Sequence, residues 1–179
     1  MRYFAAALLA FVMTLNPMEA LAVDLDDPEN TLVIDVKDGG EIYMQLLPQI
    51  APKHVERIKT LAREGFYDGV VFHRVIDGVM ALTGDPTGMG RGVSDYDDLP
   101  AEFSNVPFER GTVGMARAAS PDSGNSQFFI MFDRGHFLNG QYTVWGQVIE
   151  GMDAVDAITK GEPPANPDKM IKVQVASDR

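Results

Sequence analysis

Short segments in which apolar and polar residues alternate constrain the fold of this chain more than any other feature. Residues 31–37 (TLVIDVK) and 41–47 (EIYMQLL) alternate on either side of the turn Asp38-Gly39-Gly40, which is typical of a β-hairpin. Successive side chains of a strand point to opposite faces, so each segment has one face to bury. Further strands are predicted at residues 112–117, 126–132, 143–149 and 170–176.

Two helical segments interrupt the strands. Pro52 can occupy a first helical turn, apolar residues then recur at helical spacing as far as Leu61, and Gly65 closes the element. His54 is predicted on the solvent-facing side of this helix. Residues 152–158 predict a second, short helix. Because strands and helices do not alternate regularly, the pattern disfavours a doubly wound parallel sheet and favours an antiparallel barrel or sandwich.

The first 22 residues have the pattern of a secretory signal peptide. Arg2 supplies a positive charge, residues 4–15 are almost wholly apolar, and Ala20-Leu21-Ala22 matches a cleavage site. The apolar run is shorter than the roughly 20 residues that a membrane span needs. We therefore expect cleavage after Ala22 and a periplasmic protein that has no membrane anchor once the signal is removed.

The remaining chain is acidic and free of cysteine. Residues 23–30 (VDLDDPEN) are expected to form a solvated acidic leader, and residues 31–179 a single domain. The formal net charge of −11 opposes binding to phosphate backbones, so nucleic acid is not an expected partner. The absence of cysteine excludes disulfides and thiolate chemistry. We expect a monomer.

Several kinds of catalytic or binding site are disfavoured by the spacing of residues. The glycine-rich residues 84–92 neither directly follow a predicted strand nor open a helix, as a phosphate-binding loop would. His54, His73 and His136 lie far apart without paired ligand spacing, so no metal site is predicted. A serine hydrolase built on Ser126 and His73 is a weak alternative, because the Gly-x-Ser-x-Gly elbow is missing.

Arg74 is the most informative polar residue of the central segment, residues 66–92. It follows a β-branched and aromatic run at residues 70–72, which is predicted to be a strand. An arginine on a rigid strand near apolar residues can direct a hydrogen-bond donor into an apolar groove. An ordinary strand that ends in a solvated basic residue fits the same segment equally well.

Five segments together resemble the cyclophilin family of peptidyl-prolyl isomerases. The segments are FHRVI (72–76), GDPTG (84–88), GMA (114–116), SQFFI (126–130) and FLNG (137–140). They occur in the family's order and nearly at its spacing, and the resemblance spans roughly residues 31–176. It implies an all-β fold with two helices, in which a closed eight-stranded antiparallel β-barrel is capped by the helices. It also implies a surface groove for proline-containing peptides, without metal or cofactor.

The resemblance assigns roles to individual residues. Arg74 matches the catalytic donor. The residues that match substrate-binding positions are Val79, Met80, Leu82, Ala116, Arg117, Ala118, Gln127, Phe129, Phe137, Leu138 and Tyr142.

The sequence departs from the family pattern at two of these positions. Val79 stands where the family usually has phenylalanine, and Leu82 stands where it usually has a glutamine that hydrogen-bonds near the arginine. The expected pocket is therefore larger and less polar. We expect activity below that of members with the full motif.

The resemblance predicts a peptidyl-prolyl cis-trans isomerase that accelerates Xaa-Pro rotation in exported proteins during folding. Its expected partners are proline-containing peptides and unfolded exported proteins. The alternative is a proline-peptide-binding chaperone whose isomerase activity is weak or lost.

Overall fold

The computed structural model describes residues 27–179, which form eight β-strands and two α-helices. The strands are β1 (Thr31–Asp35), β2 (Glu41–Leu46), β3 (Arg74–Ile76), β4 (Met80–Thr83), β5 (Thr112–Met115), β6 (Phe128–Met131), β7 (Val144–Glu150) and β8 (Lys172–Val175). The helices are α1 (Pro52–Arg63) and α2 (Met152–Asp156). The predicted signal peptide, residues 1–22, lies outside the described residues, as do residues 23–26 of the predicted leader.

All eight strands belong to one sheet with the order β3-β4-β6-β5-β7-β2-β1-β8, and every neighbouring pair is antiparallel. The predicted first hairpin is confirmed, because β1 pairs with β2 in the register that sets Ile34 opposite Ile42. The predicted fold class, mostly β with two helices, is also confirmed. None of the helices in residues 27–179 is long and apolar enough to cross a membrane.

The prediction of a closed barrel is wrong, because the sheet is open between its edge strands β3 and β8. Within the described residues β3 and β8 do not pair; β3 and the chain before it meet the segment before β8 instead, through two isolated bridges, Val71 with Lys169 and Val75 with Gly161, and through a few further backbone hydrogen bonds. The segment that precedes β8 contains three prolines between residues 163 and 167. Proline has no backbone N–H, so this segment is poorly suited to a continuous ladder. The strand predicted at residues 70–72 is likewise reduced to the single bridge at Val71.

The alternation of side chains gives the sheet two apolar faces. The inner face carries residues such as Val75, Ala81 and Ile130, which join α1 in the main core. Phe128 packs edge-on against Trp145 at 5.3 Å between ring centroids, and both are fully buried. Burial of each large side chain contributes roughly 1.5–3 kcal/mol to folding. A second apolar cluster, called the outer cluster below, lies on the outer face. Its buried members are Leu47, Phe108, Phe129, Met131, Leu138 and Val144.

Residues 27–30, the described part of the predicted acidic leader, contact α1 through their side chains. Pro28–Asn30 form a 3-10 turn, which the side chain of Asp27 caps. The carboxylate of Glu29 contacts Lys59 at 3.1 Å and Arg63 at 3.0 Å. These ion pairs hold the segment against α1.

The prediction that His54 lies on the surface is wrong, since the residue is only 1% exposed. Its Nδ1 atom lies 2.6 Å from Oε2 of Glu102. The backbone N–H of His54 donates to the same oxygen, and the backbone N–H of Lys53 donates to Oε1. Burial lowers the pKa of His54, so the ring is neutral at pH 7 and donates Nδ1–H to the carboxylate. Glu102 therefore caps the first turn of α1 from a distant loop.

Replacement of Glu102 by alanine is expected to lower the free energy of unfolding by about 1–3 kcal/mol, because the buried ring of His54 and two backbone N–H groups of the first turn of α1 lose their acceptor. Urea unfolding at pH 7.5 measures this loss. Glu56→Ala, at an exposed position on the same helix, is the matched control and should change little. Equal stability of the two variants would contradict the capping role of Glu102.

Candidate functional site

The register of four strands brings Arg74 into line with the outer apolar cluster. Arg74 on β3 pairs with Leu82 on β4, Leu82 pairs with Phe129 on β6, and Phe129 pairs with Gly114 on β5. Residues directly opposite one another in an antiparallel sheet share a face. The basic side chain and the apolar side chains of this row therefore project from the outer face, away from the main core.

Phe129 forms the floor of the outer cluster. It is 2% exposed, stacks on Phe108 at 5.6 Å, and meets the ring of Tyr142 edge-on at 5.7 Å. Gly114 makes this packing possible, because a Cβ atom there would lie 2.5 Å from the Phe129 ring and 2.7 Å from the Phe108 ring. The row thus ends at a residue without a side chain, and the aromatic rings occupy the space.

Six of the predicted substrate-binding residues meet in this cluster: Met80, Leu82, Ala116, Phe129, Leu138 and Tyr142. Phe137 lies outside it and is 64% exposed. Val79 lies in the turn between β3 and β4, where its carbonyl accepts a hydrogen bond from Phe132, and it is not part of the cluster. The structure therefore assembles an apolar surface from the predicted set but leaves these two residues at its margin.

Gln127 connects the outer face to the glycine-rich loop. Its Nε2 donates a hydrogen bond of 2.8 Å to the carbonyl of Gly92, and its backbone carbonyl accepts from Ala116. The side chain is half-buried. Its amide oxygen is oriented by the bond that the amide nitrogen makes.

Arg117 joins the two loops that border the cluster. Its guanidinium donates to the carbonyl of Gln141 at 3.0 Å and to that of Ala118 at 3.0 Å, and it lies over the ring of Tyr142 at 4.5 Å. Ala118 is exposed at the rim. These contacts fix the backbone beside Ala116.

Arg74 is paired rather than simply solvated. Its side chain is 53% exposed, its Nε donates to Oε2 of Glu162 at 2.8 Å, and its Nη2 lies 2.8 Å from the same oxygen. Leu82, directly opposite, offers no acceptor. Sequence reasoning missed Glu162, which is 88 positions away in a segment without regular structure.

Asp85 organises the glycine-rich loop and was also missed. It is fully buried, and its carboxylate accepts hydrogen bonds from the backbone of Thr87 at 2.7 Å, Met89 at 3.0 Å and Arg91 at 2.9 Å. Burial by itself would raise the pKa of Asp85, but hydrogen bonds from Thr87, Gly92 and Arg91 outweigh it and lower the pKa to about 2. The sequence signal was the Asp-Pro-Thr-Gly turn, in which aspartate commonly bonds to the backbone that follows.

Asp85→Asn is expected to remove the pH-dependent contribution that the ionised carboxylate makes to the free energy of unfolding. The pKa of about 2 in the folded protein lies below the ordinary 3.8 of aspartate. The ionised carboxylate therefore contributes about 2 kcal/mol to the free energy of unfolding above pH 3.8, and this contribution is lost as the pH falls toward 2. Urea unfolding of both proteins at pH 7 and pH 2.5 measures this. The stability gap between them should narrow at the lower pH, and a constant gap would contradict the role of the charge.

The alternative built on Ser126 and His73 is not formed. The hydroxyl of Ser126 is fully buried and donates to the carbonyl of Gly84 at 2.8 Å. His73 is 6% exposed, and neither ring nitrogen has a hydrogen-bond partner among residues 27–179. In that same part of the chain, no three His, Cys, Asp or Glu residues lie close enough together to hold a metal ion.

Comparison with known proteins agrees with this geometry. The family model described as cyclophilin type peptidyl-prolyl cis-trans isomerase/CLD matches residues 31–176. A probable peptidyl-prolyl cis-trans isomerase of Brucella suis is 56% identical, with 85% of each chain covered. Peptidyl-prolyl cis-trans isomerase B of Bacillus subtilis is 40% identical over 71% of this chain and 89% of its own length.

Solved structures give the same result. The cyclophilin AquaCyp293 from Hirschia baltica has a TM-score of 0.78 at 31% identity, over 86% of this chain and 76% of its own. A cyclophilin-type isomerase of Cryptosporidium parvum, determined in the presence of the dipeptide Ala-Pro, has a TM-score of 0.74 at 27% identity, over 81% of this chain and 98% of its own. The chain therefore belongs to the family of cyclophilin-type peptidyl-prolyl cis-trans isomerases, and the predicted family and enzyme class are confirmed.

Proposed function

We propose that the outer cluster is the peptide-binding surface of this isomerase and that Arg74 is its catalytic donor. The observation that carries the proposal is the row in which Arg74, Leu82 and Phe129 share one face across three strands. It joins a cation to an apolar floor, a combination that suits prolyl isomerisation.

The chemistry needs no nucleophile. Rotation about a peptide bond is opposed by a resonance barrier of about 18–20 kcal/mol. A donor directed at the proline nitrogen favours a pyramidal nitrogen and so weakens this resonance. Arginine stays charged at any physiological pH and presents its donors in a fixed plane. Arg74 supplies that donor while the outer cluster holds the proline ring.

The proposed substrates are proline-containing peptides. The apolar lining around Phe129 and Leu138 suits a proline ring, and Gln127 and the backbone near Arg117 are suited to hold the peptide chain. The use of an Ala-Pro dipeptide with the Cryptosporidium parvum cyclophilin supports the same substrate class for this chain.

Arg74→Ala should leave the domain folded and remove most of the activity. The donor acts mainly in the transition state, so kcat should fall by a factor of hundreds, about 2.7–4 kcal/mol, while peptide affinity changes little. A coupled assay on an Xaa-Pro peptide, together with a binding titration, measures both quantities. A variant with an unchanged rate would show that the catalytic centre lies elsewhere.

A second candidate function, a proline-peptide-binding chaperone with weak isomerase activity, is favoured by one observation. Leu82 stands directly opposite Arg74 and provides no hydrogen bond there. The rate assay and the binding titration separate the two candidates. If the protein is a chaperone of this kind, the parent protein binds the peptide but accelerates Xaa-Pro isomerisation little.

We also propose that the protein is exported and acts as a periplasmic monomer on unfolded exported proteins. The positive charge, apolar run and cleavage-site pattern of residues 1–22 support this. Mass spectrometry of the protein isolated from its source cells should find a chain that begins at Val23 in the soluble periplasmic fraction. An intact Met1, or retention in the membrane fraction, would contradict export by cleavage.

A further inference from the structure

We infer that Glu162 is a positioning residue that holds the guanidinium of Arg74 toward the peptide-binding surface. The inference rests on the proposed catalytic role of Arg74. Glu162 thereby takes the place of an acceptor that β4 does not provide, since Leu82 is the residue paired with Arg74.

The contact leaves part of the guanidinium available. A guanidinium has five N–H donors in one plane. Oε2 of Glu162 accepts from Nε at 2.8 Å and lies 2.8 Å from Nη2, so it occupies one edge of that plane. Among residues 27–179 only Nε and Nη2 contact an acceptor, so the Nη1 end remains for a peptide. A carboxylate on this edge fixes the plane without using the donors that point away from the chain.

Glu162 is held close to β3 by the residue before it. Gly161 forms two backbone hydrogen bonds with Val75, one of 2.8 Å from the Val75 N–H and one of 2.9 Å from the Gly161 N–H. Val75 directly follows Arg74. The backbone that carries the carboxylate is therefore attached to the strand that carries the arginine.

The far end of this segment is also anchored. The carboxylate of Asp168 accepts a hydrogen bond from the backbone of Thr159 at 2.7 Å and pairs with Lys37 at 2.8 Å. The carbonyl of Asp168 accepts from Phe72 at 2.8 Å. Residues 159–168 thus form a loop whose two ends are joined by the Thr159–Asp168 hydrogen bond. Glu162 lies in the part of this loop that Gly161 attaches to β3.

The expected consequence is on rate rather than on stability. Exposed ion pairs contribute little to folding, because solvent screens them and the side chains lose freedom in pairing. A long arginine side chain without a partner samples many rotamers, and small displacements of a catalytic group are costly in rate. Loss of Glu162 should therefore lower kcat while peptide affinity and thermal stability stay nearly constant.

The first experiment compares Glu162→Ala, Glu162→Gln and the parent full-length protein on one Xaa-Pro peptide. We expect kcat to fall about tenfold for Glu162→Ala, with peptide Kd changed less than about twofold. Glu162→Gln keeps a neutral acceptor and should recover part of the loss. The matched control is Asp178→Ala, which breaks a similarly exposed pair with an Nε–O distance of 2.8 Å to Arg63, and it should retain full activity.

The second experiment introduces Leu82→Gln into the parent protein and into the Glu162→Ala variant. A glutamine opposite Arg74 can supply the missing acceptor, so Glu162→Ala should then cost less than about threefold in kcat. The NMR signal of the Arg74 Nε–H group provides a readout besides rate. It should shift and broaden in Glu162→Ala and return toward its original position in the double variant.

The outcomes separate the two proposals. If Arg74→Ala is inactive while Glu162→Ala has an unchanged or higher kcat, the positioning role is overturned and the role of Arg74 stands. If Arg74→Ala is fully active, both are overturned. A tenfold loss in Glu162→Ala that Leu82→Gln does not reduce would also overturn the inference, because the carboxylate would then act other than as an acceptor for Arg74.

Discussion

The antiparallel register of β3, β4, β6 and β5 is the constraint on which the site depends. It sets Arg74, Leu82 and Phe129 in one row on the outer face and ends at Gly114, where only a residue without a Cβ leaves room for the aromatic floor. A slip of one residue would exchange this face with the main core. The inner core therefore does more than stabilise the sheet, because its packing holds the register that assembles the peptide-binding surface.

Local patterns predicted the fold class and many elements, because alternation and helix-ending residues act over short distances. The hairpin of β1 and β2 followed from its alternating strands around a glycine turn. The closed barrel came from the family resemblance and was wrong, since the proline-rich segment before β8 cannot extend the ladder. His54 was misassigned because it stands among charged residues of α1, although it lies one helical turn before the buried Ile58.

The site residues that belong to short sequence motifs could be predicted, whereas those contributed by distant loops could not. Met80, Phe129 and Leu138 were selected from local segments, and the structure brings them together. Their roles in binding stay predictions. Glu162 and Glu102 act across separations of 88 and 48 positions, through loops without periodic patterns. Such contacts depend on the complete fold, so no local reading of the sequence could pair them with Arg74 and His54.

Chemical-shift mapping shows directly whether peptides bind the outer face beside Arg74. The isotopically labelled protein is titrated with a peptide that contains an Ala-Pro bond, and backbone amide shifts are followed by NMR. We expect the largest shifts at Ala116, Gln127 and Phe129, while residues on the α1 and β8 side, such as Ala62 and Gln174, stay unaffected. Shifts concentrated around α1 and β8, with the outer face unchanged, would contradict binding at the outer face.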